Sequence, residues 1–167
     1  MFENTNVYDC SKLNTGIKNI KSGNSVFSFM FNGCKYLVKV PELPVTTLAN
    51  SCYKSMFSGC TSLTTVPSNL LPATTLGRYC YDSMFNGCTS LITVPNLPAT
   101  TLRAYCYQYM FNGCKSLTAI PSNLLPATTL IGSCYRRMFS GCSSLTTIPY
   151  NLLPATTLEE YCYYYMF

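Results

Sequence analysis

Hydrophobic and polar positions recur along this chain every 26 or 28 residues. The clearest marker is the pair Met-Phe, which occurs at residues 30, 56, 84, 110, 138 and 166. The first five pairs are followed by x-Gly-Cys-x-x-Leu. Self-similarity at a fixed period of this size is typical of a stacked-repeat solenoid, in which each unit buries its apolar side against its neighbours.

The first part of each unit predicts a short strand. It reads Gly-Cys-x-x-Leu-x-x-Val/Ile-Pro, at residues 33–41, 59–67, 87–95, 113–121 and 141–149. Threonine and β-branched residues dominate it, which favours a strand with Cys88, Leu91 and Val94 facing inward. Pro95 then ends the strand, because proline cannot donate a hydrogen bond to a ladder.

A connector of two lengths follows the predicted strand. The short form spans residues 42–44 and 96–98, and a form two residues longer spans 68–72, 122–126 and 150–154. This difference accounts for the two spacings. In a solenoid, such length variation collects in loops on one face.

The third part of each unit predicts a short helix. It opens with Thr-Thr-Leu, where a threonine can cap a helix. Cys80, Tyr81, Met84 and Phe85 then fall within one stripe of about 140° on a helical projection. Gly87 is placed to end the helix, where a positive φ is favoured.

These parts predict an α/β fold: a curved leucine-rich-repeat solenoid with one short parallel strand and one short helix per unit. Residues 30–167 would hold five full repeats and an incomplete sixth, and residues 1–29 an N-terminal cap or degenerate repeat. Helices about 10 Å wide would place the strands, about 4.8 Å apart, on the concave side. Equivalent residues would form ladders, of leucines (Leu37, Leu63, Leu91, Leu117, Leu145) and of phenylalanines (Phe31, Phe57, Phe85, Phe111, Phe139, Phe167).

Composition favours an exposed, uncharged surface. Charged residues make up 10% of the 167 residues, against roughly 25% in an average globular domain, while apolar residues make up 48%. A surface rich in hydroxyl groups and tyrosine suits an extracellular, cell-surface or virion protein. The net charge of +5 comes from scattered residues rather than a basic run, so nucleic-acid binding is not indicated. Neither a membrane-spanning run nor a signal peptide is visible.

The chain contains no histidine. This excludes Ser/His and Cys/His nucleophile pairs and mixed Cys/His zinc sites. No paired carboxylates recur at a complementary spacing. We therefore expect no enzyme activity, no cofactor and no metal.

Eleven cysteines raise the question of disulfides. Five precede the predicted strands, five lie on the predicted helices, and Cys10 is left over. They form either two ladders of buried free thiols or one disulfide per unit, such as Cys80–Cys88. A continuous helix would separate this pair by about 12 Å, beyond the roughly 7 Å limit for a disulfide, so that pairing requires a chain reversal at Gly87. Metal binding is the weakest alternative, since no Cys-x-x-Cys occurs.

The run Met-Phe-x-Gly-Cys-x-Ser-Leu-Thr-x-Val/Ile-Pro, as at residues 84–95, resembles the BspA-like leucine-rich repeats. Met84, Phe85, Cys88 and Leu91 stand at the family's Ala, Phe, Cys and Leu. The units here are longer, and the family's Ile-Gly pair is replaced by Cys-Tyr. The resemblance implies a surface-exposed recognition protein of bacterial, protozoan or phage origin, and no catalytic residue is carried over.

Residues between the inward positions differ from unit to unit, and they include tyrosine and arginine, which are enriched at binding hot spots. The candidate partner-binding residues are Arg78, Tyr79, Arg103, Tyr105, Arg136 and Arg137. They predict an adhesion module for a protein or glycan ligand. Alternatives are a structural spacer, fibre or virion component, and an ice-binding threonine array. Because the pattern stops at Phe167 within a unit, we also expect a chain fragment, a covering partner or end-to-end self-association.

Overall fold

The computed structural model describes residues 2–13 and 23–167 as a stack of similar coils. Residues 14–22, within the predicted N-terminal cap, lie outside the described residues. Among the described residues, the regular elements are a single 3-10 turn, Ser11–Leu13, and two short strands, β1 (Thr129–Leu130) and β2 (Thr157–Leu158). The rest of each coil consists of successive turns, as at residues 78–87, and of segments without regular structure, as at 91–99.

Two ladders of stacked aromatic rings run through the core. The phenylalanine ladder is confirmed and begins one rung earlier than predicted, because Phe2 stacks on Phe31 at 5.5 Å. Its later rungs lie 5.6–5.9 Å apart and end at Phe167. A second ladder starts at Phe27 and continues through tyrosines 5.3–6.2 Å apart: Tyr53, Tyr81, Tyr107, Tyr135 and Tyr163.

The aliphatic part of the core follows the predicted pattern. Leu37, Leu63, Leu91 and Leu117 are fully buried, while Leu145 in the fifth unit is only partly buried. Two of the three longer connectors place a second leucine in the core, as at Leu70 and Leu71, through an extra turn closed by a hydrogen bond from Leu70 N–H to Pro67 C=O. In the third, Leu153 is exposed.

Backbone hydrogen bonds alternate between neighbouring coils and local turns. Tyr81, Ser83, Phe85 and Gly87 donate to carbonyls of the next coil over 2.8–3.0 Å. The residues between them donate three residues back, as Met84 N–H does to Tyr81 C=O at 3.1 Å. Every second amide therefore links two coils, and the others close turns.

Left-handed backbone recurs at every fourth residue of this segment. Tyr79, Ser83 and Gly87 have φ values of 57°, 57° and 72°, and equivalent residues in the other coils behave alike. A positive φ at the third position of a four-residue turn is the mark of a type II turn, as at Ser83 between Tyr81 and Met84. The segment is thus a ribbon of β-turns with a period of four residues.

The predicted helix in each unit is therefore not confirmed, since the described residues contain no α-helix. A four-residue turn period buries Cys80, Tyr81, Met84 and Phe85 on one side, as a helix would. The aromatic ladders decide between the two. Rings 5.3–6.2 Å apart require coils at a similar spacing, whereas packed helices lie 8–10 Å apart.

The strand prediction is also corrected. Both strands lie at the Thr-Thr-Leu segment: β1 and β2 are parallel, with Thr129 opposite Thr157. Within the described residues, pairing at the predicted strands is limited to a bridge between Asp9 and Lys39 and to single hydrogen bonds, such as that from Ile92 N–H to Thr64 C=O. Isolated parallel bridges join Thr47 to Thr75 and Thr75 to Thr101. The predicted threonine cap has no helix to cap. The curvature prediction loses its basis as well, because it depended on helices wider than the strands.

We predict that glycine substitutions distinguish the turn ribbon from a helix. Ser55 has φ 52°, whereas Ser58 of the same ribbon is not among the residues with positive φ. Ser55→Gly should leave the free energy of unfolding unchanged or raise it by up to about 1 kcal/mol, because a left-handed L-residue is relieved. Ser58→Gly should lower it by about 0.5–1 kcal/mol. Urea denaturation measures both; equal losses would indicate a helix, which glycine weakens at either position.

We also predict that the phenylalanine ladder dominates stability. Phe85→Ala removes a fully buried ring stacked between Phe57 and Phe111, and should cost about 3–5 kcal/mol by denaturant unfolding. Thr93→Ala, at an exposed position of the same unit, should cost no more than about 0.5 kcal/mol. Similar losses for the two variants would contradict the ladder's role.

Candidate binding surface

The outward side chains of the turn ribbons form a continuous surface, here called the outer ribbon face. It comprises the exposed and half-buried side chains of residues 77–83, 103–109, 131–137 and 159–165. The ladders fix its register: Tyr81 stacks on Tyr107, so the residues that follow them, Asp82 and Gln108, are equivalent. Neighbouring coils thus bring together side chains 26 or 28 residues apart.

An ion pair between two of the earlier coils adjoins this face. Lys54 Nζ lies 3.0 Å from Asp82 Oδ2 and 5.2 Å from the centre of the Tyr79 ring. Ser83 Oγ donates to the other carboxylate oxygen of Asp82 at 2.8 Å. Tyr79 in turn stacks on Tyr105 with a centroid distance of 4.6 Å and nearly parallel planes.

An open cavity of about 580 Å³ lies beside this tyrosine pair. Arg78, Tyr105, Ser133, Glu160 and Tyr161 contribute to its lining. Arg78 and Glu160 form no ion pair with each other in the described part of the chain. Glu159 also lines the cavity, which therefore offers one cation, two carboxylates and two aromatic rings to the same volume.

Tyrosine rings hold two arginines at the next part of the face. Arg137 lies between Tyr109 and Tyr165, with its guanidinium carbon 5.8 and 5.0 Å from the ring centres. Arg136 lies 5.3 Å from the centre of the Tyr164 ring. Stacking on aromatic faces orients a guanidinium while leaving its N–H edge available.

The structure brings most of the sequence-predicted residues into this region. Arg78 and Tyr105 share the cavity, and Tyr79 stacks on Tyr105. Tyr161 of the cavity contacts Tyr164, 5.5 Å away, and through it the region of Arg136 and Arg137. Arg103 is exposed, but it does not occupy the position equivalent to Arg78. Thr75 pairs with Thr101, and this pairing places Ala104 at that position. Their role in binding stays a prediction.

Sequence reasoning missed several contributors to the face, because it searched mainly among the three residues before each cysteine of the predicted helices. The residues missed are Tyr109, Tyr164 and Tyr165. The repeat period itself carried the signal, since Tyr109, Arg137 and Tyr165 occupy the same position in successive units.

The cysteines form the two buried ladders and are free thiols in the structure. On the strand side, each thiol donates to a phenylalanine carbonyl of the preceding coil, as Cys88 Sγ does to Phe57 O at 3.1 Å. The disulfide alternative is not adopted. Burial raises the pKa of the Cys142 thiol from 9.0 to about 11 and that of Cys10 to about 12.

The threonines that suggested an ice-binding array, such as Thr64 and Thr93, are exposed, but they belong to segments other than those that form the outer ribbon face. Nothing in their arrangement assigns them a ligand. Within the described ranges, no group of His, Cys, Asp and Glu is arranged to hold a metal. Nor does any helix there reach the length and hydrophobicity of a membrane span.

We predict that these thiols resist alkylation. Only the thiolate reacts with iodoacetamide. Burial blocks access to all of these thiols and raises the pKa of several, including Cys10 and Cys142. At about pH 8, the folded protein should react at least a hundredfold more slowly than the urea-unfolded protein, as counted by mass spectrometry. Rapid labelling of the folded protein would contradict the buried ladders.

Burial of the Cys142 thiol also makes stability depend on pH. Its contribution to the free energy of unfolding should be present below about pH 9 and be lost as the pH rises through about 11.

Comparison with known proteins agrees with the repeat architecture. The model of the BspA type leucine rich repeat region matches in six copies, over residues 2–120 and 50–166. No curated protein matches the chain. A crystal structure of a leucine-rich repeat protein from Bacteroides ovatus ATCC 8483 is 19% identical over 74% of this chain and 52% of that one, with a TM-score of 0.25. The chain spans about half the length of that protein, and so low a TM-score carries no structural argument.

Proposed function

Because the chain belongs to the BspA-type leucine-rich repeat family, we propose that it is a non-enzymatic interaction module that mediates adhesion. It would be part of a cell-surface or secreted protein and would bind a protein or glycan ligand. This family is one of repeats rather than of enzymes. Repeats of this type are typical of surface proteins, which supports the extracellular assignment.

One observation carries the proposal: tyrosine and arginine side chains concentrate on the outer ribbon face, where packing does not require them. Inward positions keep the same residue types from coil to coil, whereas outward positions vary, as at 83, 109, 137 and 165, which hold serine, tyrosine, arginine and tyrosine. Tyrosine and arginine provide large contact areas with few rotatable bonds, and both are enriched at interface hot spots.

We predict that this face provides the binding energy. The labelled protein should bind at least one member of a panel of immobilised matrix proteins and glycans. The double variant Tyr105→Ala/Tyr161→Ala, which removes both rings of the cavity, should weaken that binding at least tenfold, or about 1.4 kcal/mol. Thr93→Ala, outside this face, serves as the control, and unchanged melting temperatures verify folding. Unaltered binding by the double variant would exclude the cavity as the site.

The second candidate is a structural spacer or a fibre or virion component. The continuous pairing of neighbouring coils favours it, because amides such as Phe85 N–H donate to the next coil and so join the coils into one stack. Light scattering distinguishes the candidates. A monomer at all concentrations argues against end-to-end association, whereas growth of assemblies with concentration supports the structural role.

A further inference from the structure

Arg136 and Arg137 are two adjacent cations that the described part of the chain does not neutralise. Neither arginine has an ion pair or a side-chain hydrogen bond there, and the Nε atoms of both are buried without a partner. The terminal nitrogens of both guanidinium groups, by contrast, are accessible to solvent. A guanidinium is always charged and has five N–H donors, so both side chains retain unused donors.

The register of the coils explains why no carboxylate is close. The position of Arg136 is occupied by Lys54, Asp82 and Gln108 in the preceding coils and by Tyr164 in the next. Lys54 is paired with Asp82, but the neighbours of Arg136 are an amide and a phenol. The Oε1 atom of Gln108 is itself buried without a partner.

Aromatic contacts hold the two guanidinium groups in place before any ligand arrives. Arg137 lies between two tyrosine rings, and Arg136 lies on a third. Less side-chain entropy is then lost on binding, so such preorganisation increases affinity. A planar fork held in this way matches an oxyanion with two oxygen atoms.

We propose that Arg136 and Arg137 form a receptor for the oxyanions of an acidic polysaccharide, either uronate carboxylates or sulfates. This rests on the proposed function and specifies the chemistry of its ligand. The receptor comprises the two arginines with Tyr109, Tyr164 and Tyr165. The net charge of +5 adds a long-range attraction for a polyanion.

Several features favour a polysaccharide over an acidic peptide. A peptide strand needs free backbone groups, but Tyr109 and Arg137 already donate their N–H groups to the carbonyls of Arg136 and Tyr164. An amphipathic helix needs an apolar groove, and no aliphatic side chain contributes to this receptor. The exposed rings of Tyr161, Tyr164 and Tyr165 lie at steep angles to one another. They offer flat faces for the C–H surfaces of sugars and hydroxyl groups for their polar edges.

The test compares binding of the full chain to heparin, polygalacturonate, neutral dextran and polyglutamate by biolayer interferometry at several salt concentrations. We expect the two acidic polysaccharides to bind and dextran not to bind. Arg136→Gln/Arg137→Gln should weaken binding at least tenfold. Arg136→Lys/Arg137→Lys should recover only part of that loss, because lysine keeps the charge but not the planar fork.

A matched control separates a specific site from net charge. Lys35→Gln/Lys115→Gln removes the same two charges from exposed positions elsewhere, and should change affinity less than threefold at about 0.15 M salt, where distant charges are screened. An equal loss in both double variants would overturn the receptor. Absence of binding to both polysaccharides would overturn it too. Binding of polyglutamate as strongly as the polysaccharides, with the same loss in the arginine variant, would assign the receptor to an acidic peptide instead.

Failure of this proposal is distinguishable from failure of the proposed function. The Tyr105→Ala/Tyr161→Ala variant addresses the cavity and can lose binding to a panel ligand even if no acidic polymer binds. In that case the outer ribbon face remains a binding surface, and only its assignment to oxyanions is lost.

Discussion

The spacing between neighbouring coils is the constraint on which the rest of the structure depends. Stacked rings separated by 5.3–6.2 Å occur in both aromatic ladders, and every second amide of the turn ribbon donates to the next coil. These two interactions require the same repeat distance and so reinforce each other. A helix at this position would satisfy its own backbone but would hold the rings too far apart to stack.

The same constraint determines what each position can hold. Inward positions face their own equivalents in the coils on both sides, so flat rings and small thiols recur there. The thiols also provide a hydrogen bond to the preceding coil, as Cys88 does, which a purely apolar residue would not. Outward positions have neighbours only along the surface, and the chain can therefore vary them. A column such as Lys54, Asp82, Gln108 and Arg136 changes its charge from coil to coil without disturbing the core.

The repeat, its register and the inward residues could be predicted from the sequence, because like residues recur at 26 or 28 positions and must meet in a stack. Local conformation could not. Cys80, Tyr81, Met84 and Phe85 lie on one side of both an α-helix and a ribbon of four-residue turns, so periodicity does not separate the two. The tertiary spacing decides, and it overrides a helical pattern. The candidate site was likewise predictable only in part. Arg78 and Tyr105 were identified as outward from the sequence, whereas the contact of Arg137 with Tyr109 and Tyr165 becomes visible only in the stacked structure.

Scalar couplings across hydrogen bonds test the alternating backbone pattern most directly. In a long-range HNCO spectrum, the account predicts a correlation between the Phe85 amide nitrogen and the Met110 carbonyl carbon. It also predicts one between the Met84 amide nitrogen and the Tyr81 carbonyl carbon. A correlation from Phe85 to the carbonyl of Tyr81, four residues back, would indicate an α-helix and would contradict the ribbon of turns.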